Sequence, residues 1–596
     1  MQGKDKGHSI LMLRPNPPPP WPPKFLPSLT AALFVAALLV WSIDSSTVRN
    51  IRSPPDHYLP LYKPPSLPNL TQTDTFPPEN LTHIDTPFPL QNLTHIDTPF
   101  PLQNLTHIDP SPTWINVEPE PNYTSLLLSR WLAPGGEQCR DSRTNDVSIP
   151  GLEGLNSPVE LSAAEVHKFT MHALDDAGRP RCLGGDYFET DLSSNTWKSR
   201  PPTTDHGNGS YTLSLQVHPD FASEDFNLTV VLLFRSFEGL KFSTSRFAFH
   251  RELRRIPIRF IRRAHSSSLP ELQPCRKPDF GKDVWSGRWT RLARNDECQI
   301  SEDGRFRCLA PNAICRKPWC DGPLGLLESN GWVYSAHCAF RIFTPTEAWT
   351  CLDKRWLFFW GDSNHVDTVR NLLSIVLGVS DVSNVTRRFD RSFVNPKNGS
   401  QSVRITNIFN GHWNETKNYL GLDSLRNPEF RALLWRYFTD EEAVPDTMIM
   451  NTGLHDGIHY KSVRVFSAAA QYAADFWDEV FEYLRERRKL TVMPSFIYRT
   501  TIATGGYARD LAFNPNKMET YNRVMVEKLR GKEGLVSGVV DSFDMSFPWH
   551  YDNRCNDGVH YGRAPAKAKW RDGEIGHQYF VDIMLAHALL NAICNG

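Results

Sequence analysis

The octapeptide Trp356-Leu357-Phe358-Phe359-Trp360-Gly361-Asp362-Ser363 sets the fold expected of this chain. Five large apolar residues in succession, with no polar alternation, are the pattern of a strand covered on both faces, as in the interior of a parallel sheet. Gly361-Asp362-Ser363 ends that run, and a helix-compatible stretch (366–376) comes after it. In an open α/β sheet ligands gather at the carboxyl ends of strands, so a serine on such a turn presents its hydroxyl to the cleft. That hydroxyl becomes a nucleophile at neutral pH only with a base in hydrogen-bond reach, and the base needs a carboxylate to orient it.

Toward the C-terminus the same alternation recurs. TMIM (447–450), LTVM (490–493) and LVSGVV (535–540) read as further buried strands, and 468–488 reads as a helix. A last helix, 578–594, places Val581, Met584, Leu585, Ala588, Leu589 and Ala592 on one apolar stripe. An α/β sandwich with a mainly parallel sheet is therefore expected from about residue 275 to 596. Asp557-Gly558-Val559-His560 comes after the last predicted strand, and the aspartate can turn back within one loop to fix the imidazole. Asn451-Thr452-Gly453 comes after TMIM, and the Asn451 amide is a candidate oxyanion donor; Gly411, in Phe409-Asn410-Gly411-His412, is a candidate backbone donor. Each also has a plainer reading: a turn serine, a structural histidine, a turn-capping asparagine. His455 and His459 are four apart with Asp456 between them, but Gly453 and Gly457 favour a loop, and no metal site is expected.

Residues 126–262 read as β, with short β-branched or aromatic runs at 165–174, 211–217 and 227–234 separated by turn chemistry. A sandwich is the natural closure. Asp175-Asp176-Ala177-Gly178-Arg179-Pro180, Gly184-Gly185-Asp186-Tyr187-Phe188 and Asp205-His206-Gly207-Asn208-Gly209-Ser210-Tyr211 resemble the filamin-type immunoglobulin repeat. The basic run 251–263 reads as a solvated linker or interdomain face, with polyanion binding as the alternative. Trp285, Trp289 and Trp332 read as core beneath a disulfide cluster, with a sugar-stacking surface as the alternative.

GDS after an apolar strand, NTG after a second and DGVH near the C-terminus, in this order, resemble the SGNH/GDSL hydrolase superfamily. CLDKRWLFFWGDS (351–363) is similar to the entry of its PC-esterase branch, which includes the trichome birefringence-like proteins. A filamin-like domain ahead of a PC-esterase domain is the NXPE arrangement, and the resemblance spans roughly 126–596. It implies Ser363 as nucleophile, His560 as base, Asp557 as its orienting carboxylate, and Asn451 with the Ser363 backbone N–H as oxyanion hole, with Gly411 carried over beside them. It also implies O-acetylation of polysaccharides or glycoprotein glycans in the Golgi. One departure stands out: Asn364-His365-Val366-Asp367 replaces the arginine-containing run usual after the serine, and the nearest arginine is Arg370.

The N-terminal part has a different character. Of 46 prolines, 24 fall in residues 1–125. Residues 25–43 (FLPSLTAALFVAALLVWSI) carry no formal charge and are long enough to cross a hydrocarbon core. Lys4, Lys6, Arg14 and Lys24 ahead of them place residues 1–24 in the cytosol and the body in the lumen, as a type II signal anchor, with a cleaved signal peptide as the alternative. Residues 44–125 read as a stalk carrying the repeat NLTHIDTPFPLQ from Asn80 and Asn92. Ten sequons, at Asn69, Asn80, Asn92, Asn104, Asn122, Asn208, Asn227, Asn384, Asn398 and Asn414, all lie beyond the span. So do all 11 cysteines, of which six crowd between Cys298 and Cys351, as expected of a disulfide-stapled lumenal segment; zinc at Cys315 and Cys320 is the alternative.

With 65 Lys+Arg against 66 Asp+Glu, the chain lacks the broad basic field of a nonspecific nucleic-acid binder. The expectation is a glycan O-acetyltransferase working through an acetyl-serine, with the membrane and a glycan acceptor as partners, no bound cofactor and an acetyl donor, acetyl-CoA or another acetylated compound, left open. The alternatives are an acetylesterase with the same residues and a non-catalytic binding protein. No nucleotide fingerprint or P-loop identifies a donor site.

Overall fold

The computed structural model describes residues 112–132, 142–153, 158–263, 268–298, 305–411, 419–440, 442–551, 557–562 and 578–594. The expected span at 25–43, the stalk repeats, and Asn69, Asn80, Asn92, Asn104 and Asn414 lie outside these residues. Among the described residues no helix is long and apolar enough to cross a membrane. Asn122, Asn208, Asn227, Asn384 and Asn398 are all exposed.

The central strand Trp356–Gly361 lies inside a six-stranded sheet. Its order is Arg388–Asn395, Asn398–Phe409, Trp356–Gly361, Thr447–Met450, Ser495–Arg499, Gly538–Val540. Five strands are mutually parallel, and Arg388–Asn395 is added antiparallel at the edge. Side chains alternate between two cores, as a period of two requires. Phe358, Trp360, Met448, Met450, Phe496 and Tyr498 face one, beneath the helices Pro428–Thr439, Val463–Glu486 and Pro515–Arg530. Leu357, Phe359, Ile449 and Ile497 face the other, with the helices Ser363–Asn371 and Tyr579–Cys594. The continuous apolar run is thus explained: neither face of the strand meets water.

The β-rich part comprises two sheets. One has four strands, in the order Asp146–Ser148, His167–Leu174, Ser210–Leu215, Thr203–Asp205. The other has seven, in the order Trp332–Ser335, Arg288–Arg291, Trp197–Ser199, Tyr187–Ser193, Asp225–Phe234, Arg251–Ile261, Val159–Ser162. Their apolar sides share one core, with Phe188 against Tyr211 at 4.9 Å between ring centroids. The turn motifs act locally: Asp175 Oδ1 accepts from the backbone N–H of Ala177 and Arg179, and Asp205 Oδ2 accepts from that of Gly185.

Several expectations are corrected. The run 251–263 is no linker; Arg251–Ile261 is an inner strand, with Ile256, Ile258 and Phe260 buried while Arg255 and Arg259 pair outward with Glu252 and Asp225. Its charge density hid a period of two. The seven-stranded sheet also takes Arg288–Arg291 and Trp332–Ser335 from beyond residue 275, so no break in the sheet separates 126–262 from the C-terminal part. Packed structure begins before 126: Trp114 donates to the carbonyl of Pro270 at 2.8 Å, and Ile115 N–H to Gln216 at 2.9 Å. LTVM is not a strand; Val492 is 81% exposed, and pairing starts after Pro494, at Ser495. The last strand shrinks to Gly538–Val540. The final helix is buried all round rather than along one stripe. Its polar residues are engaged: Asp582 by Thr368 and Asn371, His587 by the N–H of Phe343, and Asn591 by the backbone of Arg341. Trp285, Trp289 and Trp332 are core, which leaves no stacking surface there.

The cysteines pair as Cys275–Cys338, Cys298–Cys308, Cys315–Cys320 and Cys351–Cys594, and Cys182 is also in a disulfide. Cys315 and Cys320 are bonded to each other, which takes both sulfurs out of any zinc set. Cys351–Cys594 joins the helix before the central strand to the end of the final helix.

Candidate active site

Ser363 opens the helix Ser363–Asn371 directly after the central strand. Asp362 caps it, its Oδ1 accepting from the N–H of Asn364 at 2.8 Å. Gly361 is set by space: a Cβ there would lie 2.4 Å from Nδ1 of His365 and 3.0 Å from Cβ of Asn451. Only glycine lets the turn approach its own helix and the neighbouring strand so closely.

From that turn, Ser363 Oγ reaches Nε2 of His560 at 2.6 Å, across 197 residues of sequence. His560 Nδ1 faces both oxygens of Asp557, at 3.0 and 2.9 Å. A carboxylate accepts only, so Nδ1 carries the proton and Nε2 offers its lone pair to the serine hydroxyl. Asp557 Oδ1 also accepts from the N–H of Val559 at 3.0 Å, which folds Asp557 back onto the histidine. Gly558, with φ +80, sits against a neighbouring segment where a Cβ would lie 2.6 Å from Cβ of Ala508 and 2.7 Å from the carbonyl oxygen of Gly505. The His560 and Asp557 side chains are 10% and 17% exposed, so the pair is shielded but reachable. Asp582 anchors the helix Ser363–Asn371 from the core, accepting from Thr368 at 2.6 Å and Asn371 at 2.8 Å; burial pushes its carboxyl up to about 6.

The remaining candidates are placed as follows. Asn451 lies 1% exposed, its Nδ2 donating to the carbonyl of Arg499 at 3.2 Å, so one of its two N–H bonds is committed to the next strand. Gly411 is buried just beyond the strand Asn398–Phe409. Its neighbour Asn410, not singled out from the sequence, is the residue that ties this rim together. The Asn410 N–H donates to the carbonyl of Gly361 at 2.9 Å, its Nδ2 to the carbonyl of Asn451 at 3.2 Å, and its Oδ1 lies 3.0 Å from Nδ1 of His455. An asparagine immediately after a strand in an α/β pattern was the available signal.

His455 and His459 lie on a short helix, Leu454–His459, rather than a loop. They serve different partners, His455 facing Asn410 and His459 lying 3.3 Å from Asp423. Burial pushes His455 down to about 4, with Asp362 opposing and Arg387 and His560 adding to the shift. With Nδ1 donating to Asn410, its Nε2 is an acceptor. Arg370, the nearest arginine in sequence to the serine, is held away, giving Nε and Nη2 to the carbonyl of Val385 at 3.0 and 2.7 Å. The buried arginine beside the site is Arg499, which ends the strand Ser495–Arg499; burial lowers its pKa against the pull of Asp582, Asp362 and Asp367. His365 is fully buried in the turn after the serine and is pushed well below the ordinary histidine value by burial and then by Arg499.

The fold and this geometry define a class: an open α/β sheet carrying a serine, a histidine and a carboxylate in hydrogen-bonded series at the carboxyl ends of its strands. No protein-family model and no curated protein matches the chain. Among solved structures, the chain is similar to Axe2, an acetylxylan esterase from Geobacillus stearothermophilus, at 16% identity and a TM-score of 0.22, covering 40% of this chain and 94% of that one. A tryptophan-to-isoleucine variant of the same esterase matches at 15% identity and a TM-score of 0.23, covering 40% and 95%. A catalytic histidine variant matches at 14% identity and a TM-score of 0.23, covering 40% and 94%.

Proposed function

We propose that this protein is an acyl-transferring serine enzyme, and specifically a glycan O-acetyltransferase of the PC-esterase type, anchored in the Golgi membrane with its body in the lumen. The observation that carries the reading is the unbroken relay Ser363 Oγ, His560 Nε2, His560 Nδ1, Asp557, at 2.6 and 2.9 Å. Ser363 Oγ attacks the carbonyl carbon of an acetyl donor while its proton passes to His560 Nε2. Asp557 stabilises the imidazolium that forms. The tetrahedral oxyanion is met by the Ser363 N–H at the helix N-terminus and by the second N–H of Asn451. Collapse expels the donor's leaving group, which takes the proton from His560, and leaves acetyl-Ser363. An acceptor hydroxyl then attacks the acetyl carbon, loses its proton to His560, and departs as the ester when Ser363 recovers that proton.

Transfer rather than hydrolysis is supported by the family resemblance and by the sequence plan: an apolar 19-residue segment, a proline-rich sequon-bearing stretch and a body with every cysteine. An acetylesterase shares the first half-reaction and is the second reading. Incubating the full-length chain with acetyl-labelled p-nitrophenyl acetate and a panel of oligosaccharides separates them. Label retained on sugar is the expected result, and label released only as acetate assigns the esterase. Trapping with a serine-directed phosphonate, followed by peptide mapping, tests the site itself. Modification is expected at Ser363 and is lost in His560→Ala; unmodified Ser363 in the wild-type chain rejects the mechanism.

A further inference from the structure

The loop that carries Asp557 and His560 rests on a segment that the β-rich part of the molecule holds. The carbonyl of Gly558 accepts from the N–H of Gly505 at 2.8 Å, and the Tyr561 hydroxyl donates to the carbonyl of Ala503 at 3.0 Å. The short turn Gly506–Asp510 comes next, and Arg509 in it is 6% exposed. Its guanidinium meets the carboxylate of Glu189, a residue of the sandwich strand Tyr187–Ser193 that has no exposed surface: Nη2 pairs with Oε2, and Nε lies 3.3 Å from Oε1. The same Oε1 lies 2.8 Å from Nε2 of His550, whose own carbonyl accepts from the N–H of Gly506 at 2.9 Å. Burial alone would raise the Glu189 carboxyl, but Arg509 and then His550 outweigh it and hold the carboxyl at about 2. A mirror-image pair crosses the same boundary: Arg200 of the sandwich reaches Glu519 of the helix Pro515–Arg530 at 2.7 Å, and Tyr187 donates to the same oxygen at 3.1 Å.

A buried ion pair of this kind contributes little to net stability compared with an apolar contact, because desolvation offsets the attraction. What it fixes is geometry: two carboxylate oxygens aimed at a guanidinium and an imidazole admit one arrangement of the backbones that carry them.

We infer that Glu189 is a positioning residue for the Asp557–His560 pair, and that the β-sandwich is a structural part of the active site rather than an appended module. Glu189 fixes Arg509 and His550, these fix residues 503–510, and that segment holds the backbone of Gly558 and the side chain of Tyr561, on either side of His560. The inference rests on the Ser363 mechanism proposed above.

The test uses the full-length chain with Glu189→Gln and, as a second variant, Arg509→Lys. The amide introduced by Glu189→Gln would turn one acceptor oxygen into a donor facing a guanidinium or an imidazole, and lysine in place of Arg509 would keep the charge while losing the two-point grip. Three readouts are taken: the rate of Ser363 phosphonylation, kcat and KM on p-nitrophenyl acetate, and hydrogen exchange by peptide. The expected result is phosphonylation and kcat at least tenfold slower with KM within twofold. Exchange is expected to rise in residues 557–562 while strands 356–361 and 447–450 keep their wild-type protection. Phosphonylation within twofold of wild type in both variants overturns the inference. So does exchange rising equally in the loop and in those strands, which is loss of the fold and not of a loop. If the wild-type chain is not labelled at Ser363, the mechanism fails, and selective exchange at 557–562 in the variants still decides whether Glu189 holds the loop.

Discussion

Two buried polar regions of this molecule are built on opposite rules. Around Glu189 both carboxylate oxygens have a donor on Arg509 or His550, and burial is matched by pairing. Beneath Ser363, Asp362 Oδ2, Asn364 Nδ2, both ring nitrogens of His365, Asn451 Oδ1, and Nε and Nη1 of Arg499 are buried without a hydrogen bond to protein among the described residues. Unpaired polar atoms in an interior are costly, typically about 1–3 kcal/mol each. The contrast separates the parts: the carboxylate of Glu189 is matched oxygen by oxygen with donors, whereas several polar groups beneath Ser363 have no protein partner among the described residues.

That contrast can be broken from either side. The largest effect is expected at the serine itself: Ser363→Ala should lower esterase activity on p-nitrophenyl acetate by roughly 10⁴-fold or more, while thermal unfolding stays near wild type because the half-buried side chain gives up one oxygen and its hydrogen bond to His560. Next comes Asp557→Asn, which should cost about 10³–10⁴ in kcat by presenting the wrong histidine tautomer; a loss under tenfold measured at pH 7 would remove Asp557 from the relay.

On the side of the scaffold, replacing Cys351 and Cys594 by serine releases a closure of 243 residues. It should lower unfolding free energy by about 2–5 kcal/mol in denaturant titration. Gly558→Ala places a Cβ at φ +80 against Ala508; a cost of about 1–3 kcal/mol and a fall in kcat of roughly tenfold or more are expected, since small displacements of a catalytic group are expensive in rate.

The smallest effect is a pH dependence. Glu189 and Glu519 are each held at about 2, below the ordinary 4.5, by the guanidinium partners that outweigh their burial. Carboxyls depressed on folding contribute stability that is fully present above about pH 4.5 and is lost as pH falls toward 2. The unfolding midpoint should therefore decline through that window, and the decline should be shallower in Glu189→Gln, which has no carboxyl at that position to titrate. Equal slopes in the two proteins would mean that the pair does not couple to folding.

Some of this molecule is written in short stretches of sequence. A short aromatic-rich apolar run that shows no polar face, like 356–360, reads by its length and composition as a strand between two layers, and the turn after it arises from Gly361 and Asp362 as local space and capping chemistry. The positions of Ser363, Asn451 and Asp557-x-x-His560 after predicted strands were legible for the same reason. The sequence did not mark Asn410, Arg499 or Glu189, because the value of each lies in partners 41, 48 or 320 residues away.

What the residues determined alone was local: which runs are buried on two faces, where turns and caps fall, and which groups could move a proton. Tertiary structure decided the rest. It made an inner strand of a basic run, because alternate residues found a core on one side and carboxylates on the other. It buried the final helix on every side, and it placed a glutamate of the β-rich part behind the histidine loop. The physical reason is that burial and electrostatic pairing depend on what the rest of the chain brings alongside, and no window of neighbouring residues contains that information.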